Sequence, residues 1–380
     1  MTSPQARPGP ILLAAGGTGG HVFPAEALAR TLIARGHEVR LATDPRGRAF
    51  GDRLPQVPVD AVRSATVAPG LTGKLRTAAL LGLGYLDARR VLRRHRPAVV
   101  VGFGGYPSAP TVLAASRAGI PVLLHEQNAL LGRVNRWLAS RAATIATGFA
   151  LQGAQGRDGR IVVTGNPVRP AIAAKRDTPF PMPAGQGPLT LLVLGGSQGA
   201  RVFSELIPAA IALLPEGLRA RLAIVQQCRP EDIEACRALY RAIGVDATLA
   251  TFFEDVPERL AAAQLVICRS GASTAAELAT IGRPAILVPY PFAMDDHQTA
   301  NARAIAGVGG GWLMPQSDLT PEVLASRLED LYTRPSVLAE AAGAARAAAH
   351  PDAADRLADL VLSLAEGRAG GRAETTTGSA

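Results

Sequence analysis

The sequence predicts an α/β protein of two doubly wound parallel-sheet domains, and two observations carry that prediction. A buried strand, a Gly-rich turn and a helix start occur twice, at Leu12–Gly20 and Leu191–Gly199, with Gly17 and Gly196 separated by 179 residues. That spacing is about the length of one domain. Apolar strand-like runs also alternate with helical patterns through both halves, as parallel βαβ winding requires.

Taken in order, the first-half runs are Ile11–Ala15, Val39–Ala42, Ala98–Val101, Val122–Leu124, Thr144–Ala146 and Ile161–Val163. The second-half runs are Leu189–Leu194, Leu222–Val225, Thr248–Phe252, Leu265–Cys268 and Ala285–Val288, after a Pro-rich stretch from Pro167 to Pro188 that reads as a linker. The expected domains are therefore 1–168 and 169–350. Leu357, Leu360, Val361 and Leu364 recur at helical spacing, so 351–368 is expected to form a helix that packs near the domain junction, with 369–380 a disordered tail.

Composition narrows the function. Residues 1–170 carry 22 Lys/Arg against 8 Asp/Glu (+14), whereas the remainder is −5, so the amino half is expected to meet something anionic. Its arginine run, Arg89 to Arg96, lacks the interleaved aromatics of a single-strand nucleic-acid surface. Five apolar residues before the first glycines are too few for a signal-peptide core or a spanning helix. Cys228, Cys236 and Cys268 have no zinc-like spacing, which fits a reducing compartment. Leu71, Leu75, Ala79, Leu83 and Leu86 fall near helical spacing beside Lys74 and Arg76, with Gly82 and Gly84 weakening the helical pattern. A core-facing helix and an anionic-membrane surface both account for that stripe.

The candidate sites follow strands. Gly17-Thr18-Gly19-Gly20-His21 opens a helix, where backbone N–H groups and the helix dipole favour a phosphate. It lacks the last glycine of a dinucleotide fingerprint, although Asp44 stands where a ribose acid would. At a helix start His21 is disfavoured as imidazolium, which suits either a general base or a phosphate hydrogen bond. Gly104-Gly105-Tyr106 and His125-Glu126-Gln127-Asn128 are placed at the same carboxyl edge, where open α/β sheets bind ligands. In the second half Thr274-x-x-Glu277 matches a capping box, and Glu277 alternatively suits a ribose diol. Asp295-Asp296-His297-Gln298 could meet sugar hydroxyls or solvent, and its acids do not form a metal-ligand set.

Read together, Gly16 to His21, Gly104 to Tyr106, His125 to Asn128, Gly165 to Arg169, Gly195 to Ala200 and Gly271 to Glu277 resemble the MurG family of bacterial N-acetylglucosaminyltransferases. The resemblance implies a GT-B fold, two Rossmann-like domains with an interdomain cleft. It implies transfer from UDP-N-acetylglucosamine to the C4 hydroxyl of undecaprenyl-pyrophosphoryl N-acetylmuramoyl-pentapeptide, lipid I to lipid II, with inversion. Peptidoglycan synthesis, and through it cell shape and division, would be the setting.

By that resemblance the second domain takes the nucleotide: Glu277 the ribose, Ser197 the diphosphate, Ala272, Ser273, Thr274, Ala275 and Ala276 backbone contacts, and Phe253 a main-chain contact to uracil. Gln298, with His297, would meet the donor sugar. Thr18, Gly19, Gly20, Asn128 and Arg169 would complete the donor site. Gly104, Gly105 and Tyr106 form the acceptor loop, and His21 is the residue to activate the acceptor hydroxyl. No cofactor and no metal are implied, and no Asp-x-Asp motif is present. The implied location is peripheral, on the cytoplasmic face of the bacterial inner membrane, with its anionic surface and other cell-wall synthesis proteins as partners and no nucleic acid. Gln226-Gln227-Cys228, Pro107 and Ala109 depart from the family pattern. A diacylglycerol glycosyltransferase, a UDP-sugar epimerase and a non-catalytic membrane adaptor are the competing readings.

Overall fold

The computed structural model describes residues 9–16, 19–44, 54–65, 70–152, 159–196 and 199–367. The chain divides into two units, Met1–Pro167 with Asp352–Ala380, and Val168–Pro351.

The first unit runs β1 (Ile11–Ala14), α1 (Gly19–Ala34), β2 (Val39–Thr43), β3 (Val59–Ala61), α2 (Gly70–His95), β4 (Val99–Gly102), α3 (Gly105–Arg117), β5 (Val122–Glu126), α4 (Arg133–Leu138), β6 (Thr144–Thr147) and β7 (Ile161–Val163). Its sheet is parallel throughout, in the order β3-β2-β1-β4-β5-β6-β7. The second unit runs α5 (Pro170–Ala173), β8 (Leu189–Leu194), α6 (Arg201–Ala212), α7 (Glu216–Arg219), β9 (Leu222–Gln227), α8 (Ile233–Ala242), β10 (Ala247–Ala250), α9 (Val256–Ala262), β11 (Leu265–Cys268), α10 (Ala272–Ile281), β12 (Ala285–Leu287), α11 (His297–Gly307), β13 (Gly311–Leu313), α12 (Pro321–Thr333) and α13 (Pro335–Ala347). Its parallel sheet has the order β10-β9-β8-β11-β12-β13. Both are doubly wound sheets whose order reverses beside the first strand, between β1 and β4 and between β8 and β11.

Central strands in such sheets are covered on both faces, so they read as unbroken apolar runs. Every residue of β1, β4 and β11 is buried. Two strands had no such signal. β3 is three residues long, Val59-Asp60-Ala61, and largely exposed, while β13 begins with Gly311. Both lie at sheet edges, where one side of the ladder is open and little apolar surface is needed.

The final helix, α14 (Ala353–Ala365), belongs to the first unit. Its Leu357, Ala358, Val361 and Leu364 join a buried cluster with Ile11, Leu13, Leu28 and Leu32. Arg35 at the end of α1 reaches Asp355 at 2.6 Å and Asp359 at 2.5 Å, fixing the register of α14. In the second unit, the buried Arg283 has no carboxylate partner among the described residues and donates instead to the carbonyls of Leu260, Ala261, Ile281, Gly282, Thr178 and Pro179. It gathers the chain ends of α9 and α10 onto the Pro-rich segment, satisfying carbonyls that helix termini leave open.

α2 decides two points that the sequence leaves open. Gly82 and Gly84 do not interrupt it, because the helix is continuous from Gly70 to His95. Its apolar stripe also points away from the core: Leu71, Leu75, Leu83 and Leu86 are 75%, 63%, 39% and 45% exposed, whereas Thr77, Gly84, Ala88, Val91 and Leu92 are buried. Gly84 is required by a close approach, since a Cβ there would lie 1.9 Å from the Arg63 carbonyl oxygen. Arg63 and Asp87 hold that approach with hydrogen bonds of 2.6 and 2.7 Å. Among the described residues no helix is long and apolar enough to cross a membrane.

The two glycines therefore predict opposite outcomes. Gly82 is exposed with open space where a Cβ would go, so Gly82→Ala should stabilise the chain by about 0.5–1 kcal/mol. Gly84→Ala should destabilise it by about 2 kcal/mol or more through backbone displacement. Thermal unfolding of the two variants checks this, and shifts of the same sign would remove the close-approach account.

Candidate active site

The polar residues of the first unit gather where the sheet order reverses. Gly16, just beyond β1, lies so near Thr43 and Pro107 that a Cβ on it would be 2.9 Å from both side chains. His21 stands in the first turn of α1, and the Gly104–Gly105 turn carries β4 into α3 with φ values of 80° and 69°. The His21 ring packs on Gly105, whose Cβ position lies 3.4 Å from Nε2 and Cδ2.

The His125–Asn128 segment sorts its side chains with the period of two expected of extended chain. His125 and Gln127 share one side: Gln127 Nε2 lies 3.1 Å from His125 Nδ1 and donates to the Phe103 carbonyl at 3.0 Å, while Gln127 Oε1 lies 3.1 Å from His21 Nδ1. Glu126 and Asn128 share the other. The Glu126 carboxylate accepts from Asn128 N and Nδ2, both at 3.1 Å, and from Gly132 N and Asn135 Nδ2, both at 2.9 Å. It is buried but fully engaged, and it holds the loop bearing Asn128. Burial, the main cause, lowers the His125 pKa to about 4, and the nearby His21 adds to the effect, so this imidazole is neutral at physiological pH.

In the second unit the β8–α6 loop folds back tightly enough that a Cβ on Gly195 would lie 2.4 Å from Ala200 N. Gln227 pins it by accepting from Gly195 N at 3.2 Å. The neighbouring switch-point helix, α10, starts at Ala272 with Gly271 as its cap and no side-chain cap hydrogen bond. The expected capping box is thus not formed, because Thr274 and Glu277 are already inside the helix. Glu277 instead pairs with Arg169, whose Nε and Nη2 reach Oε1 at 3.1 and 2.9 Å. Burial raises the Glu277 pKa, with Arg169 pulling the other way. Ser273 Oγ, in the first turn, is buried with no hydrogen-bond partner among the described residues.

Arg269 ties the following loop to this helix start. It donates to the carbonyls of Val288 and Pro289 and to Gln316 Oε1, and its guanidinium lies 5.0 Å from the Phe203 ring and 5.5 Å from the Tyr290 ring. Gln298 is held at both ends: its carbonyl accepts from Ser270 Oγ at 2.8 Å and its Oε1 accepts from Tyr290 N at 2.9 Å. His297 Nδ1 donates to the Met294 carbonyl at 2.7 Å. Phe253 is buried beneath Arg259, 4.3 Å from its ring centroid.

The structure therefore brings His21 to Gly105, and Arg169 to Glu277 within the second unit. Tyr106 is partly buried against the cluster containing Leu12, Val100 and Leu124, and Asn128 sits on the Glu126 side of its loop. Gly19 and Gly20 start α1 and Ala272 to Ala276 start α10. Gly17, Thr18, Ser197 and Gln198 lie outside the described residues. Gln127 was expected at this edge only as one of the four polar residues His125–Asn128, with no role of its own; the alternation of His125 and Gln127 against Glu126 and Asn128 was the available signal.

Comparison with known proteins agrees in both units. The Glycosyltransferase family 28 N-terminal domain matches residues 11–147, and the Glycosyltransferase family 28 C-terminal domain matches residues 190–357. The chain is 62% identical over 358 residues to the UDP-N-acetylglucosamine--N-acetylmuramyl-(pentapeptide) pyrophosphoryl-undecaprenol N-acetylglucosamine transferase of Rhodospirillum centenum, covering 94% of both chains. It is 57% identical to the protein of the same name from Rhodospirillum rubrum, covering 94% of this chain and 92% of the relative. Among solved structures, Acinetobacter baumannii MurG superposes with a TM-score of 0.78 at 33% identity, over 93% of this chain and 99% of that one. A UDP-GlcNAc 2-epimerase from Neisseria meningitidis shares the fold alone, at 13% identity, a TM-score of 0.63, and coverage of 93% and 99%.

The buried neutral His125 sets a pH dependence. Its folded pKa of about 4 lies below the ordinary value of 6.5, so protons bind the unfolded chain first as pH falls. Stability is full above about pH 6.5 and declines by up to about 3 kcal/mol as pH drops towards 4. Denaturant unfolding across that range should show the decline, and His125→Gln should flatten it; an unchanged slope in the variant would assign the acid sensitivity elsewhere.

Proposed function

The chain belongs to glycosyltransferase family 28, and on that footing we propose that it moves N-acetylglucosamine from UDP-N-acetylglucosamine to the C4 hydroxyl of N-acetylmuramoyl-pentapeptide on undecaprenyl pyrophosphate, with inversion at the anomeric carbon. The donor belongs to the second unit and the acceptor hydroxyl to His21 in the first.

The Glu277–Arg169 pair is the observation that carries the donor assignment. Arg169 Nε and Nη2 are directed at Oε1, and in this reading a ribose hydroxyl donates to Oε2. A buried carboxylate with an elevated pKa gains from such donors, which favour its charged form. Ser273 Oγ and the uncapped first N–H groups of α10 supply donors for anionic oxygen beside it, in the role given also to Ser197. Gln298, oriented through Oε1, directs Nε2 towards a sugar hydroxyl. Phe253 offers its main chain to uracil, and Thr18, Gly19, Gly20 and Asn128 complete the binding set from the first unit. Gly104, Gly105 and Tyr106 border the acceptor.

Charge develops on the diphosphate as UDP departs, and fixed N–H dipoles stabilise that charge without reorganising. His21 takes the proton from the attacking hydroxyl. We place the enzyme peripherally on the cytoplasmic face of the bacterial inner membrane, with α2 as the contact. Its exposed Leu71, Leu75, Leu83 and Leu86 stand on the same helix as Lys74, Arg76, Arg89 and Arg93. Apolar side chains beside cations suit an anionic bilayer.

Purified protein should release UDP from UDP-N-acetylglucosamine only with a lipid I analogue present, and the product should gain one N-acetylhexosamine by mass. Release without acceptor would replace the transferase with an epimerase or hydrolase. In that assay Glu277→Gln should raise the donor KM about tenfold or more, the worth of a hydrogen bond to a charged group, while the chain stays folded. An unaltered KM would remove the ribose assignment. His21→Gln should instead lower kcat by about 10²–10⁴.

A doubly substituted Leu75→Asp, Leu83→Asp chain should lose at least about tenfold in partition onto phosphatidylglycerol vesicles, given about 1.5–3 kcal/mol for each buried leucine. Its donor KM should not change. Equal vesicle binding by the variant and the parent chain would move the membrane contact off α2.

A further inference from the structure

We propose that Gln127 is a positioning residue that holds His21 in a single tautomer, with the proton on Nδ1 and a bare, proton-accepting Nε2. The inference rests on the reading of His21 as the base, and it separates that role from a phosphate ligand.

The amide orientation of Gln127 follows from its neighbours. On one side it meets the Phe103 carbonyl at 3.0 Å and the His125 carbonyl at 3.4 Å. Backbone carbonyls only accept, so the NH2 end of the amide must face them. The same nitrogen lies 3.1 Å from His125 Nδ1, which, in a neutral buried ring, serves as acceptor. The opposite end, Oε1, is thereby turned to His21 Nδ1 at 3.1 Å. An amide oxygen only accepts, so Nδ1 must carry the hydrogen. Reversing the amide would set its oxygen against two carbonyl oxygens inside a site where Gln127 is 1% exposed.

With its proton on Nδ1, the His21 ring presents an Nε2 lone pair. An ionised phosphate oxygen has no proton to offer that nitrogen, whereas a sugar hydroxyl does. In the transfer, the acceptor O–H proton moves to Nε2 and the freed oxygen bonds to the anomeric carbon. The bond from that carbon to the UDP oxygen breaks, with its electron pair leaving on UDP. The imidazolium so formed keeps its Nδ1–H bond to Gln127 Oε1 throughout, so no side chain has to reorient at the moment of reaction. Gln127 touches neither substrate; it acts through His21.

The test is a long-range proton–nitrogen correlation spectrum of the full chain with 15N-labelled histidine at pH 7.5, His21 being assigned by the signals lost in His21→Gln. The expected result is protonated Nδ1 and unprotonated Nε2; a proton on Nε2 overturns the proposal. In Gln127→Met, which keeps side-chain length but has no amide oxygen, kcat should fall about 10- to 100-fold with the donor KM unchanged within twofold. A kcat within threefold of the parent, or a raised KM at constant kcat, also overturns it. If that variant does not fold, the spectrum of the parent chain decides alone. Failure of the base reading itself looks different: His21→Gln would keep full turnover even though the tautomer was as stated.

Discussion

A parallel strand with helices over both faces has no wet side, so polar residues cannot alternate along it without being buried. The strands flanking the order reversal are almost wholly apolar, β1, β4 and β11 being buried at every position, and the chain turns to chemistry where the strands run out. The carboxyl ends at the order reversal are the favoured place, because the helices leaving adjacent strands diverge there and leave a crevice. His21, Gly105, Gln127, Gly195, Ser273 and Glu277 all stand on segments that follow such strand ends. The glycines follow from the same constraint: where several strand ends converge, backbones approach more closely than a Cβ permits.

Placing charge at such an edge requires an answer to desolvation, and the two buried site carboxylates answer it differently. Glu126 accepts from four N–H donors of its own loop, so its lone pairs are already used and it serves to shape the chain. Glu277 meets Arg169 through Oε1, and burial holds its pKa high. A carboxylate left in that condition gains from a partner that brings O–H donors, which is the difference between a structural acid and a binding one. Arg283 shows a third solution, a buried cation satisfied by carbonyls alone.

Much of this was legible in the residues. The second unit's central strands, Leu189–Leu194 and Leu265–Cys268, were placed to the residue, because buried parallel strands carry their signal in every position. β3 and β13 escaped because short edge strands need little apolar content. The apolar stripe on α2 has helical spacing whichever way it points, and periodicity cannot tell a core from a bilayer; the outward side is decided by Gly84, which draws the opposite face against Arg63. Thr274-x-x-Glu277 misled for a related reason. A capping box is a statement about where a helix begins: with Thr274 as cap α10 would start at Ala275, whereas it begins three residues earlier, at Ala272. Pairs such as Arg169 with Glu277, 108 residues apart, are written only in the tertiary fold.

The choice of an amide at position 127 also has a physical reason. A carboxylate opposite Nδ1 would fix the same tautomer and would further stabilise the imidazolium. Here, however, the far end of the side chain faces the carbonyls of Phe103 and His125 in a buried site, and a carboxylate oxygen there would sit against two carbonyl oxygens. Gln127 meets both demands at once, an oxygen for His21 and an NH2 for the carbonyls. It orients the base without adding a buried charge.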